Sequence, residues 1–274
     1  GALAHHGARA VAVERPGWRG MAETARFAGL SPVEVEVDED GLRAERLWGL
    51  RADAVAVAPA HQYPTGAVLG AERRSALVAW ARERGGVIVE DDYDAEYRYD
   101  RRPIGALQGL APEHVVYGGS VSKTIAPALR IGWLALPEHL VDAVLARRQV
   151  RGGTGSSVMQ LALADLMGRG DLDRHLRRQR HAYRRRRDLL LRALAEQLPA
   201  LRVTGAAAGL YVAVELDEGD VEAALALAAR EGIALEGFSG RRSGLVLGYG
   251  NLAPAAIPAA VGALARCLGG AARA

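Results

Sequence analysis

Five short apolar runs punctuate the first half of the sequence and limit what it can fold into. They are AVAV at 10–13, AVAVA at 54–58, VIV at 87–89, VVY at 115–117 and IGWLAL at 131–136. Runs this short and continuous suit strands buried on both faces of a largely parallel sheet. Helical patterns lie between them. Residues 72–84 place Leu77, Trp80 and Ala81 at i, i+3 and i+4, and residues 138–147 carry Leu140, Val141, Val144 and Leu145 on one face. This alternation is the signature of an α/β, doubly wound architecture. The opening GALAHHGARAVAVE reads as a helical remnant, a turn and a strand, so the chain is expected to be a fragment that begins inside a larger unit.

The pattern changes after about residue 150. Residues 151–157 are Gly/Ser-rich and read as a loop. Residues 171–198 read as one long helix with Leu176, Tyr183, Leu190 and Leu194 along a stripe. Strands follow at 201–204 and 210–216, then a helix at 221–231 and strands at 233–235 and 245–249. A last helix sets Ile257, Val261, Leu264 and Leu268 on one face. This mixture predicts a smaller C-terminal α+β domain, and the expected division is 1–180 and 181–274. The run RHAYRRRRDLLLR at 180–192 invites a nucleic-acid reading, but only Tyr183 interrupts the charges, and it falls on the apolar stripe. The run therefore reads as the solvated face of an amphipathic helix.

The 274 residues are half apolar, enough for one large α/β domain with a smaller one appended. A formal charge of +3 does not by itself argue for a nucleic-acid partner. The single cysteine, Cys267, excludes an internal disulfide and fits a reducing compartment. No apolar run reaches the roughly 18 residues of a membrane span, and no signal peptide is visible, so a cytoplasmic location is expected. No metal-ligating group stands out. The basic residues are the unusual part: of 35 lysines and arginines, Lys123 is the only lysine. In a chain so biased toward arginine, a surviving amine is weakly marked for chemistry, although one lysine has to be the last by chance.

Three features gather around Lys123. The acidic cluster EDDYD at 90–94 directly follows the run 87–89, and carboxylates at the carboxyl end of a parallel strand can reach a ligand; the alternative is a helix cap or turn. Ser120, Val121, Ser122 and Lys123 follow the run 115–117 and two glycines. An amine there can form a Schiff base, which a guanidinium cannot. Arg130, seven residues on, can clamp a phosphate beside hydroxyl donors or form a surface ion pair. Amine, carboxylate, hydroxyls and arginine match the needs of pyridoxal 5'-phosphate, which takes a lysine Schiff base, a carboxylate on its pyridine nitrogen and anchors for its phosphate.

The segments EDDYDAEYRYDRRPIGALQGL and VVYGGSVSKTIAPALRIGWLALP resemble the aminotransferase-like domain of MocR-type regulators of the GntR group. HQYPTG at 61–66, RPGWRG at 15–20, DLDRHLRRQRHAYRRRRDLLL and LVLGYGNL resemble further blocks of that family. The resemblance implies a fold-type I pyridoxal-phosphate transferase fold: a mostly parallel sheet with flanking helices and a smaller C-terminal domain. It implies Lys123 as the internal aldimine, Asp91 on the pyridine nitrogen and Tyr93 on the ring's phenolic oxygen. Ser120, Ser122 and Arg130 would hold the phosphate, and Trp18 would stack on the ring or else pack a loop against the core. Tyr63 stands where catalytic aminotransferases have an asparagine, and Val246 where they have an arginine for the substrate carboxylate. Arg241 and Arg242 could supply that role, or form a solvated turn. Homodimerisation and a DNA-binding domain outside this chain are also implied. Three readings follow: a regulatory domain sensing pyridoxal phosphate or an amino compound through a Lys123 aldimine, a catalytic class I/II aminotransferase, or a cofactor-free dimerisation module.

Overall fold

The computed structural model describes residues 1–100, 104–150 and 155–271. Seven strands form the larger sheet: β1 (Ala10–Arg15), β2 (Ser31–Asp38), β3 (Gly41–Leu42), β4 (Ala54–Val57), β5 (Val87–Asp92), β6 (Val115–Ser120) and β7 (Gly132–Ala135). Their spatial order is β3-β2-β1-β4-β5-β6-β7. The central pairs β2/β1, β1/β4, β4/β5 and β5/β6 are parallel, and the edge strands β3 and β7 pair antiparallel. Short connecting helices are α1 (Ala2–His5), α2 (Arg19–Phe27), α3 (Ala71–Arg84), α4 (Val141–Val150) and α5 (Ser157–Gly168).

The four central apolar runs became the strands they predicted, because every residue of β4 and the apolar centre of β1, residues 11–13, is buried between layers. One face of the sheet packs on α3, whose Leu77, Trp80 and Ala81 are all but fully buried. The other face gathers Val11, Val13, Ala54 and Ala56 against Ala25 of α2. Three expectations need correction. The run 131–136 is not buried on both faces: β7 is an exposed edge, with Trp133 44% and Leu134 52% exposed. A strand at 233–235 is replaced by β10 (Glu236–Phe238), because its ladder partner on β11 (Gly244–Gly248) lies opposite residues 236–238. Residues 151–154 of the expected loop lie outside the described residues, while Ser156 caps α5 through the Met159 amide and Ser157 begins that helix. Elements β2, β3, α2 and α5 are not among the elements expected from the sequence.

A second, four-stranded antiparallel sheet has the order β10-β11-β9-β8, with β8 (Val203–Thr204) and β9 (Tyr211–Glu215). One face is covered by α6 (Asp171–Gln197), α7 (Glu218–Arg230) and α8 (Ile257–Ala271), whose Leu190, Leu194, Val221, Ile257, Val261 and Leu264 form its core. Helix α6, 27 residues and about 40 Å long, runs through residues 180 and 181 without a break. Its first half touches the larger sheet: His175 Nε2 donates to the Thr124 carbonyl at 2.8 Å, and Arg180 Nε to that of Glu96 at 2.8 Å.

Segment 205–209 stitches the two sheets together. Ala206 N donates to Gly66 O at 2.8 Å, Tyr99 N to Ala207 O at 2.8 Å, and Gly209 N to Tyr97 O at 2.8 Å. The backbones meet so closely that a Cβ on Gly205, where φ is +88°, would lie 2.8 Å from the Gly66 Cα. Helix α3 anchors the larger core. Trp80→Ala should cost about 3–5 kcal/mol, read as a lowered midpoint in urea unfolding, because the side chain is 1% exposed and nothing flexible can refill its volume.

Candidate cofactor site

Strand β5 shows how the acidic cluster is sorted. Side chains alternate along a strand, so Ile88, Glu90 and Asp92 point to one face while Val87, Val89 and Asp91 point to the other. Glu90 is buried and accepts from the amides of Leu107 and Gln108 at 2.9 and 3.0 Å. Asp92 accepts from the Tyr117 hydroxyl at 2.7 Å. Asp94, beyond the strand, lies 2.7 Å from His61 Nδ1. Asp91 alone of the four carboxylates has no hydrogen-bond partner among the described residues. Burial, reinforced by the charges of Asp92 and Asp94, pushes its carboxyl up to about 6, and the Lys123 ammonium pulls the other way.

Asp91 faces a cavity of about 430 Å³ beyond the carboxyl ends of β1, β4 and β5. Glu14, Trp18, Tyr63, Tyr93 and Lys123 share its wall, with Val13, Ala56 and Val57 as an apolar floor. Lys123 is exposed toward it, and its carbonyl accepts from the Tyr97 hydroxyl at 3.3 Å. Trp18 is 56% exposed, and its ring lies so near the next turn that a Cβ on Gly20 would meet it at 2.4 Å. Tyr93 donates to the His61 carbonyl at 2.9 Å, and burial holds its phenol well above the usual tyrosine range.

The phosphate-type residues lie beside this cavity, Ser120 at the end of β6 and Ser122 and Arg130 in the connection to β7. Ser120 lies opposite Gly132 in the β6/β7 register and Val121 N donates to Ile131 O at 3.1 Å, so the chain brings Arg130 back to the segment 120–123. Ser120 lines an adjoining space of about 350 Å³ that also touches Asp91. Ser122 is partly buried and Arg130 exposed. Arg130 has φ 53°, the one positive value outside glycine among the described residues. Strain of this kind costs roughly 1–3 kcal/mol and concentrates at functional sites.

Other expected residues sit elsewhere or differently. Arg241 and Arg242 line a separate cavity with Glu215, Asp217 and Asp220, and Arg242 is ion-paired to Glu215. The structure does not bring them to the Lys123 cavity. Val246 is packed with Tyr211, Ala213 and Phe238, against which Tyr63 leans. Tyr63 makes an edge-on contact with the Tyr211 ring at 5.3 Å and hydrogen-bonds Glu236 of β10.

Sequence reasoning missed Glu14 and Glu236. Glu14 was findable, since it follows the run 10–13 as Asp91 follows 87–89. It takes a long 3.4 Å hydrogen bond from Gln62 Nε2, and burial, with the Asp91 charge adding, pushes its carboxyl up to about 8.

These residues suit pyridoxal phosphate: an unpartnered carboxylate whose charged form a ring cation would stabilise, an amine, a flat aromatic wall, and a volume in the range of small-ligand sites. Residues 2–242 match the family described as aminotransferase class I and II. The chain belongs to that family.

Among this aminotransferase-family chain's relatives, the HTH-type transcriptional regulator YhdI of Bacillus subtilis is 31% identical over 251 residues, covering 88% of this chain and 54% of that protein. The pyridoxine biosynthesis transcriptional regulator PdxR of Corynebacterium glutamicum is 32% identical over 247 residues, again 88% and 54%. The chain thus spans about half the length of these curated relatives. LysN, the α-aminoadipate aminotransferase of Thermus thermophilus solved with N-(5'-phosphopyridoxyl)-L-leucine, superposes with a TM-score of 0.86 at 28% identity, covering 97% of this chain and 72% of that one. The fold is therefore that of the fold-type I aminotransferases.

Glu14 supplies a pH test. Its folded value is raised, so its stabilising contribution is complete below its ordinary 4.5 and is lost as the pH climbs toward 8. The Tm advantage of Glu14→Gln over the parent should grow between those limits by at least about 1.4 kcal/mol, roughly 2–4 °C. A difference independent of pH in thermal melts would contradict a desolvated carboxyl.

Proposed function

We propose that this chain is the pyridoxal-phosphate-binding effector domain of a MocR-type, GntR-group transcriptional regulator, responsive to the cofactor itself or to an amino compound. The observation that carries this reading is the convergence of Lys123, unpartnered Asp91, Tyr93 and Trp18 on one cavity. When bound, pyridoxal phosphate supplies an aldehyde for a primary amine and an electron-withdrawing ring.

The chain's own residues would do the rest. Lys123 Nζ, the chain's one lysine amine, is the attachment point. Asp91 holds the proton on the ring nitrogen. The Tyr93 hydroxyl faces the ring's phenolic oxygen, and Trp18 covers the ring face and keeps water from it. Ser120, Ser122 and Arg130 hold the phosphate, the strained backbone of Arg130 turning it back toward them. Tyr63, in the asparagine's place, is held by Glu236 and belongs to the wall.

Two observations favour regulation over turnover. The carboxylate-binding arginine of catalytic aminotransferases is replaced by buried Val246, and Arg242 is committed to Glu215. The regulators YhdI and PdxR match most of this chain. A division into a large unit, 1–180, and a small one, 181–274, belongs to the same proposal, with α6 as the connecting rod. So do a cytoplasmic location, DNA binding through a domain outside this chain, and a homodimer, whose second copy would cover exposed Leu145, Val158 and Leu161 on α4 and α5. Among the described residues no helix is long and apolar enough to cross a membrane.

Titration of the full-length protein with pyridoxal phosphate should raise a visible absorption band. Borohydride should then fix added mass on the peptide containing Lys123. Lys123→Arg should lose both while far-ultraviolet dichroism stays unchanged, since arginine keeps charge and reach but not nucleophilicity. A retained band in that variant would overturn the assignment, and steady transamination of an amino-acid panel would favour the catalytic reading.

A further inference from the structure

Tyr93 has one hydroxyl proton and three polar neighbours: His61 O at 2.9 Å, His61 Nδ1 at 3.2 Å and the Tyr211 hydroxyl at 3.3 Å. Behind it, His61 Nδ1 lies 2.7 Å from Asp94 Oδ2, with the two side chains 3% and 4% exposed. An ionised carboxylate only accepts hydrogen bonds, so the proton between them belongs to Nδ1. That nitrogen then has no lone pair for Tyr93, and the nearest acceptor left to the phenol is the His61 carbonyl, at 2.9 Å against 3.3 Å for the Tyr211 oxygen. The Tyr211 hydroxyl donates its own proton to Gln62 O at 3.1 Å, so it gives none to Tyr93.

The surroundings hold this arrangement rigidly. The Tyr211 ring stacks on the imidazole with centroids 5.0 Å apart. On the other side the backbone of Gly209, at φ +71°, lies so close that a Cβ there would sit 2.4 Å from His61 Cε1 and 2.6 Å from Asp94 Oδ2. Tyr93 lines the cavity, while Asp94 and His61 stand behind it.

We infer that Asp94 and His61 are positioning residues for Tyr93. By fixing the imidazole proton on Nδ1, Asp94 parks the Tyr93 proton on the His61 carbonyl, where it is held by a single neutral hydrogen bond. An anionic oxygen lodging beside Tyr93 then draws that proton round to itself, because a charged acceptor outcompetes the neutral carbonyl and phenol oxygens. The inference rests on the reading of this cavity as a pyridoxal-phosphate site, whose ring carries such an oxygen. A buried carboxylate orienting a histidine is a recurrent way of selecting a tautomer, and amide replacement of the carboxylate upsets it.

Three measurements test it. In the unsubstituted, cofactor-free protein, imidazole ¹⁵N shifts should show His61 protonated on Nδ1; a proton on Nε2 alone overturns the inference, and this reading needs no variant that could fail to fold. In the cofactor-free protein with ¹³Cζ-labelled tyrosine, Asp94→Asn should move the Tyr93 resonance, identified by its loss in Tyr93→Phe, and leave that of Tyr183 in place; an unmoved Tyr93 resonance overturns it. With pyridoxal phosphate bound, Asp94→Asn should shift the pH midpoint of the visible band by on the order of one pH unit, tenfold in the proton equilibrium, and should cause no further shift in the Tyr93→Phe background. A shift of equal size in both backgrounds overturns it, because a merely structural role would act without Tyr93. If the unsubstituted protein gives no visible band, the cofactor reading fails while the tautomer and the tyrosine resonance still decide this one.

Discussion

The parallel pairing of β1, β4, β5 and β6 is the constraint from which the site follows. Parallel strands end on the same edge of a sheet, and residues just past that edge meet one another although they are far apart in sequence. Glu14, Val57, Asp91 and the segment 120–123 are brought together in this way. The register makes the meeting specific. Asp91 lies opposite Gly118, whose lack of a side chain leaves the ground above the sheet open, and Ser120 lies opposite Gly132 on the returning strand. A slip of one residue would turn Asp91 toward the α3 side and Glu90 into the cavity.

That alternation also decides which carboxylates are structural. Glu90, Asp92 and Asp94 each have a hydrogen-bond partner within 3.0 Å, although Asp92 Oδ1 is buried without one. Asp91 does not, and its desolvation is offset only by the Lys123 charge. A cluster that looks uniformly acidic in sequence is three groups each tied by a hydrogen bond around one, Asp91, that has none among the described residues. The unsatisfied one is the informative one, because burying an unpaired carboxylate costs free energy that a cationic ligand returns.

Much of this was legible in the sequence where a local rule applied. Continuous apolar runs gave four central strands, heptad-like spacing gave α3, α6 and α8, and the lone lysine after a strand pointed to the cavity. What escaped was decided by partners distant in sequence. β2 reads SPVEVEVD, a period-two pattern whose buried members, Val35 and Val37, are interleaved with glutamates; alternation was not sought among the continuous runs. α5 is apolar on all sides yet has no buried residue, so its composition misleads about its exposure. Arg241 and Arg242 follow a strand of the second sheet, and only the fold shows that Glu215 claims one of them. The partnership of His61 with Asp94 spans 33 residues, and both lay in quoted motifs without any rule to join them.

The same phenols that shape the cavity also join the two sheets. Tyr93, on the loop after β5, packs on Tyr211 of β9, which donates to the Gln62 carbonyl on the loop after β4 at 3.1 Å, and Tyr63, on that same loop, meets Glu236 of β10. Both links sit at a wall of the cavity, and the rest of the junction is made by the backbone hydrogen bonds of segment 205–209 and the close approach of Gly66 and Gly205. Helix α6, packed on loops of the larger sheet at its start and on the smaller sheet's core at its end, spans the same junction, and Tyr93 and Tyr63 touch both that junction and the cavity. Conformational coupling needs a differential contact between two states, and these two side chains are where such a contact is available.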